Sequence, residues 1–188
     1  MANAPLGEID EELASLNGRV LSVGCGFGVV ERYLVRRNHQ VEVIGFDLAE
    51  DRVRAASATQ SAAGPVVVRH ADVTALGDIG RFNSALVMDV LHHLEPSGQT
   101  VLFKALARLV EPGGSVIVKD IAKTPRWKHA FNAAHDRLVV GDTTYCRDPD
   151  QMAEAAVDSG LQTDGWRRVA RLSPYPHYVI RATVPKAP

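Results

Sequence analysis

The chain has 188 residues, 46% of them hydrophobic and 23% charged, which is material for one domain with a sizeable core. A formal net charge of -1 offers no electrostatic footprint for a polyanion and argues against a nucleic-acid partner. Cys25 and Cys146 make neither a disulfide framework nor a zinc cluster, residues 1–10 carry no basic and apolar leader, and no apolar run nears the roughly 20 residues of a membrane span.

In chain order, residues 8–16 predict a short amphipathic helix ending at Asn17-Gly18 as its C-cap. Residues 19–23 form a compact apolar strand that runs into Gly24-Cys25-Gly26-Phe27-Gly28. Helical spacing follows over residues 29–37, with Val30, Tyr33 and Leu34 on one face. A second strand is expected at residues 41–46 and a helix at about 50–62, broken by Gly64-Pro65. Residues 66–68 open a third strand, residues 84–88 make a fourth, and residues 100–110 read as a long helix. Pro112-Gly113-Gly114 turns the chain into a fifth strand, residues 115–121.

Strands that alternate with helices and are apolar on both faces predict a parallel sheet covered on each side. The ending differs. After a helix near 151–159, residues 166–171 and 178–184 read as strands joined too closely for a helical crossover, so they should run antiparallel. The fold class expected is α/β: a doubly wound, mostly parallel sheet with an antiparallel C-terminal hairpin, in one domain spanning residues 1–188. Residues 122–148 are extra to this alternation. Trp127, Phe131, Ala134 and Leu138 share a helical stripe there, which predicts a cap over the edge where open α/β proteins bind ligands.

The chemistry begins at the glycine loop. Gly24, Gly26 and Gly28 lie between a strand and a helix, where backbone can approach a ligand closely and the helix N-terminus favours an anion. A dinucleotide fingerprint would place its third glycine at Val29, so a pyrophosphate is less favoured than a ligand with an amino-acid end. Asp47, before Leu48, ends the second strand and can accept from ribose hydroxyls. Asp72, before Val73, follows the third and can accept from an adenine amino group; either acid alone could equally be a helix cap.

With these residues in place, the chain resembles the class I S-adenosylmethionine-dependent methyltransferase family over residues 19–184. Residues 20–28, Val-Leu-Ser-Val-Gly-Cys-Gly-Phe-Gly, look like its first motif; residues 43–47 look like its ribose-binding strand, and Ala71-Asp72-Val73 like its adenine turn. Residues 86–94, Leu-Val-Met-Asp-Val-Leu-His-His-Leu, are similar to its fourth-strand motif, and Leu109-Val110-Glu111-Pro112-Gly113-Gly114 to the turn before its fifth strand. The resemblance implies a Rossmann-like sheet of seven strands. It implies S-adenosylmethionine as cofactor, S-adenosylhomocysteine as product, and a pocket made by Ser22, Gly24, Cys25, Gly26, Gly28, Asp47, Leu48, Asp72, Val73 and Met88. Two positions depart from the family. Ser22 stands where an acid usually helps hold the methionine amino group, a change that weakens binding unless a neighbour compensates. Asn83 stands where an Asp commonly starts the fourth strand.

Methyl transfer from a sulfonium depends mostly on alignment, and a base is needed only for a nucleophile that is protonated at neutral pH. The candidates for that base are His135, at the edge of the cap's apolar stripe, and His93, just beyond the fourth strand. Asp89 and Tyr145 are further candidates for substrate contact, and Lys119-Asp120 is expected to be a salt-bridged strand end. The sequence after Met88 lacks the prolines common in amino-group methyltransferases, which favours O- or C-methylation of a small, aromatic or lipid-like molecule. The expected chain is cytoplasmic, monomeric or homodimeric, and without metal or membrane partner. The rivals are a catalytically silent cofactor-binding protein and a non-methylating cyclase on the same fold. A nicotinamide reductase is disfavoured by Val29 and the terminal hairpin.

Overall fold

The computed structural model describes residues 6–59, 64–77, 79–123, 144–169 and 176–186, and within them one seven-stranded sheet. Its strands are β1 (Gly18–Val23), β2 (Val41–Asp47), β3 (Val66–His70), β4 (Phe82–Met88), β5 (Val110–Ile121), β6 (Gln162–Arg168) and β7 (His177–Thr183). The helices are α1 (Asp10–Ser15), α2 (Val29–Arg37), α3 (Glu50–Ala58), α4 (Pro96–Leu109) and α5 (Pro149–Asp158). The spatial order is β3-β2-β1-β4-β5-β7-β6. The first five strands run parallel, while β7 is antiparallel to both β5 and β6. This is the expected Rossmann-like sheet with its reversed C-terminal hairpin.

Alternation along each strand divides the core between the two faces. Leu21, Ala85, Val87, Val116, Val118 and Ile180 join Leu102, Phe103 and Leu106 of α4 and Met152 and Ala156 of α5 in one cluster. Val20, Val43, Leu86, Ile117 and Val179 join Leu13, Leu34 and Val53 of α1, α2 and α3 in the other. Because β1 has β2 on one side and β4 on the other, the winding reverses there. That reversal opens a crevice at the C-terminal ends of the strands, where open α/β sheets bind ligands.

Several boundaries move from the sequence expectation. The N-terminal helix is a 3-10 turn at Leu6–Ile9 followed by α1, and it stops at Leu16 in extended backbone. Gly18 therefore does not cap it. Gly18 instead opens β1 at φ +58°, where a side-chain Cβ would lie 2.2 Å from Asn83 Oδ1. Helix α4 starts earlier than expected because Pro96 fits a first helical position, where no N–H is needed. The Pro112-Gly113-Gly114 turn bulges out of β5, between the Phe82–Val110 and Ser84–Ser115 pairings with β4. Helix α5 begins at Pro149 through a capping box made by Asp148 and Gln151.

The two ends of the fold are tied by a buried acid. Glu12 of α1 is fully buried and accepts from Arg167 Nε at 2.9 Å and Nη2 at 2.8 Å, and from Arg181 Nε at 3.2 Å. Most of the expected cap, residues 124–143, lies outside the described residues. Its trailing end is described: Tyr145 N donates to His92 O at 2.7 Å and Lys123 N to Arg147 O at 3.3 Å.

Candidate functional site

The glycine loop takes three left-handed turns, with φ of +71° at Gly24, +51° at Gly26 and +67° at Gly28. Gly24 N and Cys25 N both donate to Phe46 O, at 2.7 and 3.2 Å, which ties the loop to β2. At Gly24 there is also no room for a side chain, since a Cβ would meet Val90 Cγ2 at 2.2 Å. Cys25 is buried against Gly45, and burial, with the Glu31 and Asp47 carboxylates beside it, pushes its thiol up to about 12. It is a packing residue rather than a nucleophile.

Asp47 reaches across the crevice to this loop. Its Oδ2 accepts from Gly26 N at 2.7 Å and its Oδ1 from Ala49 N at 2.8 Å. Each carboxylate oxygen can accept twice, so the acid keeps capacity for a ligand hydroxyl. Leu48 beside it is 66% exposed, and Phe27 and Val29 of the loop are exposed as well, an apolar rim around a polar centre. Asp72 caps the short 3-10 helix Val73–Ala75, its Oδ1 accepting from Thr74 N at 2.8 Å and Thr74 Oγ1 at 2.7 Å. Val73 is buried beneath it, and Met88 ends β4 half-buried.

Ser22 lies under the loop in β1, where its hydroxyl donates to Glu31 Oε1 at 2.6 Å. Glu31, in the first turn of α2, is 2% exposed and its Oε2 has no hydrogen-bond partner among the described residues. Burial pushes this carboxyl above the usual range and the Asp47 charge adds to that, against the Ser22 hydroxyl and Arg32. The sequence reading did not single out Glu31.

Beyond β4 lies a second polar cluster. Asp89 adopts φ +55° and donates its N–H to Lys119 O at 2.9 Å. The fully buried Lys119 Nζ sits 2.7 and 2.8 Å from the two Asp89 oxygens. Asp120, next along β5 and fully buried, accepts from Leu91 N at 2.8 Å, Ile121 N at 2.7 Å and His92 Nδ1 at 2.5 Å. Burial alone would raise the Asp120 carboxyl, but the His92 charge and hydrogen bond, Ile121 N–H and Lys119 together hold it below the ordinary range. Gln99 locks the loop from α4, its Nε2 donating at 3.0 Å to the carbonyls of Leu91, Leu94 and Tyr145.

Of the two adjacent histidines, His92 is buried at 4% exposure while His93 is exposed, their ring centres 4.1 Å apart. The inward-facing histidine is thus the one beside the residue expected from sequence. His135 lies outside the described residues. Tyr145 points to Glu95, Oη to Oε1 at 3.3 Å. Asp89, His92 and Asp120 bring potential metal-ligand atoms within 4.8 Å of one another, but the Lys119 ammonium already neutralises Asp89 there.

The residues around the glycine loop fit an adenosyl group carrying an amino acid. Asp47 offers acceptors for sugar hydroxyls, Leu48, Phe27 and Val29 offer apolar surface, and the orphaned Glu31 oxygen suits a cation. Comparison with known proteins agrees. Residues 4–164 match the family model described as a methyltransferase domain. The ubiquinone biosynthesis O-methyltransferase of Xanthomonas axonopodis pv. citri is 29% identical over 185 residues, covering 88% of this chain and 74% of that protein. An S-adenosylmethionine-dependent methyltransferase from Methanosarcina mazei shares the fold at TM-score 0.77 and 16% identity, with 100% of both chains covered. The magnesium protoporphyrin IX methyltransferase of Synechocystis, solved with bound S-adenosylhomocysteine, shares it at TM-score 0.73 and 21% identity over 94% of this chain and 81% of that one. The chain therefore belongs to the methyltransferase-domain family and is an S-adenosylmethionine-dependent methyltransferase.

Proposed function

We propose that this methyltransferase methylates a phenol-like hydroxyl on a small aromatic or lipid-like molecule, with His92 as general base and Asp120 as its positioning partner. The observation that carries the reading is the 2.5 Å hydrogen bond from His92 Nδ1 to Asp120 Oδ1. An ionised carboxylate only accepts, so Nδ1 keeps its proton, and in the neutral ring Nε2 carries the lone pair. A phenol, with a pKa of about 10, must shed its proton as its oxygen attacks, which is the task of such a lone pair. Once His92 has taken the proton, the Asp120 carboxylate stabilises the imidazolium. The Lys119–Asp89 pair and Gln99 hold the loop that carries His92.

Bound S-adenosylmethionine supplies an electrophilic methyl group on a positively charged sulfur. In this reading Gly24, Cys25, Gly26, Gly28 and Ser22 surround its amino-acid end. Asp47 takes the ribose, Asp72 and Val73 border the adenine, and Leu48 and Met88 line the remaining wall. O-methyl transfer is also the activity named for the Xanthomonas relative, which supports oxygen over carbon as the acceptor. The chain is taken to act as one domain, as a monomer or homodimer, on a substrate that is not a nucleic acid. His135 stays a second candidate base.

The test is incubation with methyl-labelled cofactor and a panel of substituted phenols, aliphatic alcohols and amines. Label is expected on phenolic oxygen, with S-adenosylhomocysteine released in step. A protein that takes up cofactor but labels nothing in the panel or in a cell extract would be a silent binder.

A further inference from the structure

Buried carboxyl groups ordinarily have every oxygen satisfied. Glu31 is an exception: Oε1 takes the Ser22 hydroxyl at 2.6 Å, while Oε2 is closed from solvent and has no partner among the described residues. The groups that face it come from β1, β2, α2 and the glycine loop. Asp47 of β2 brings a second negative charge, and the Cys25 thiol of the loop, at about 12, stays neutral. Among the described residues Arg32 of α2 bears the positive charge felt there, and its guanidinium is engaged by Phe27 O at 2.9 Å and Thr59 Oγ1 at 3.0 Å. Ser22, from β1, contributes a hydroxyl that cannot balance charge. Two carboxyl groups thus share the floor of the glycine loop, and a proton or an incoming cation must satisfy Glu31 Oε2.

We propose that Glu31 is the anionic contact for the ammonium group at the cofactor's amino-acid end, and that cofactor binding expels a proton which Glu31 otherwise holds. This rests on the methyltransferase reading of the site and adds a residue and a proton linkage to it. The exchange balances without any covalent change in the cofactor. The Glu31 carboxylic acid gives its proton to solvent, and the resulting carboxylate accepts an N–H bond from the ammonium. Placement on the helix rather than the strand explains how the chain can carry serine at position 22. The acid enters the same floor from α2, and the Ser22 hydroxyl orients it. Raised by burial, Glu31 gives binding that strengthens with rising pH until the carboxyl is ionised in the free protein.

The test is calorimetry with S-adenosylhomocysteine, in buffers of unlike ionisation enthalpy and across a pH series. 5′-Methylthioadenosine, which lacks the amino-acid end, serves as control. Proton release is expected with the first ligand and not with the second. Glu31→Gln should weaken S-adenosylhomocysteine by about ten- to a hundredfold, the worth of one charge-assisted hydrogen bond, and leave methylthioadenosine binding unchanged. It should also abolish the proton release. Combining Ser22→Asp with Glu31→Ala returns an acid from the strand and should recover most of the affinity, which guards against a variant that merely folds badly. Unchanged S-adenosylhomocysteine binding by Glu31→Gln, or proton release that persists in it, overturns the proposal. Normal proton-linked binding with no phenol methylation would instead overturn the proposed reaction and leave Glu31's role intact.

Discussion

His92 Nδ1 lies 2.5 Å from Asp120 Oδ1, joining the loop after β4 to the end of β5 through a pair of groups both shut away from solvent. Asp120 also receives the Leu91 and Ile121 N–H groups, so its position is fixed from three directions before any substrate arrives. This preorganisation gives His92 one ring tautomer and one orientation.

Asp120→Asn should therefore cut turnover by about a hundredfold or more, because general base catalysis contributes about 10²–10⁴-fold. His92→Gln should do the same, and His93→Gln should cost far less. Affinity for S-adenosylhomocysteine should hold in all three, as measured by calorimetry beside initial rates. Equal losses in the His92 and His93 variants would count against His92.

Gly24→Ala combines a left-handed backbone angle with a 2.2 Å approach to Val90 Cγ2. The expected cost is about 1–3 kcal/mol of stability, read from urea midpoints, together with loss of S-adenosylhomocysteine binding. Adding Val90→Ala should recover part of the stability by removing the clash. The backbone strain would stay.

His177 is held down to about 4 by burial, with the positive charges of Lys119 and His92 adding to the effect. An unfolded chain carries that histidine at its ordinary value, so below it the unfolded state binds the extra proton. The contribution is complete above the unfolded value and is lost as pH falls toward 4. It amounts to about 3 kcal/mol at most, at 1.36 kcal/mol per pKa unit. Melting temperatures of His177→Asn should fall less steeply than those of wild type on acidification through this window.

Glu12→Ala should destabilise by about 2 kcal/mol in urea titrations. Removing a buried acid strands its partners, but Arg167 and Arg181 are 44% and 43% exposed and regain water, so the loss stays below that of a fully buried pair. Arg181→Ala should cost less, since Arg167 keeps its two bonds to the acid.

The strands of the parallel sheet are legible because burial on both faces writes them as apolar runs, and α2 matches its predicted residues 29–37 because its stripe is uninterrupted. Strand β6 begins at Gln162, four residues before the expected start, because a polar edge strand leaves no such signature. The glycine loop and Asp47 are local signals, recorded in neighbouring letters. His92 and Asp120 stand 28 residues apart, and their pairing depends on the adjacency of β4 and β5. Which of two consecutive histidines turns inward is decided by the 3-10 turn Leu91–His93, beyond the reach of periodicity. Glu31 escaped because a charged residue on a surface helix normally faces water, and only the serine across from it gives the carboxyl an interior hydroxyl to bond.

Glu12 meets Arg167 and Arg181 across 155 and 169 positions of chain, so the first helix is sealed only after the last two strands exist. Leu13 can hold α1 against β1 through β5 before that point, but Glu12 has neither of its arginine partners until β6 and β7 are in place. Closure then comes late and from the far end, a long-range contact of the kind that slows folding. Shortening the chain at that end would reach the opposite one, loosening α1 without touching a residue near it in sequence.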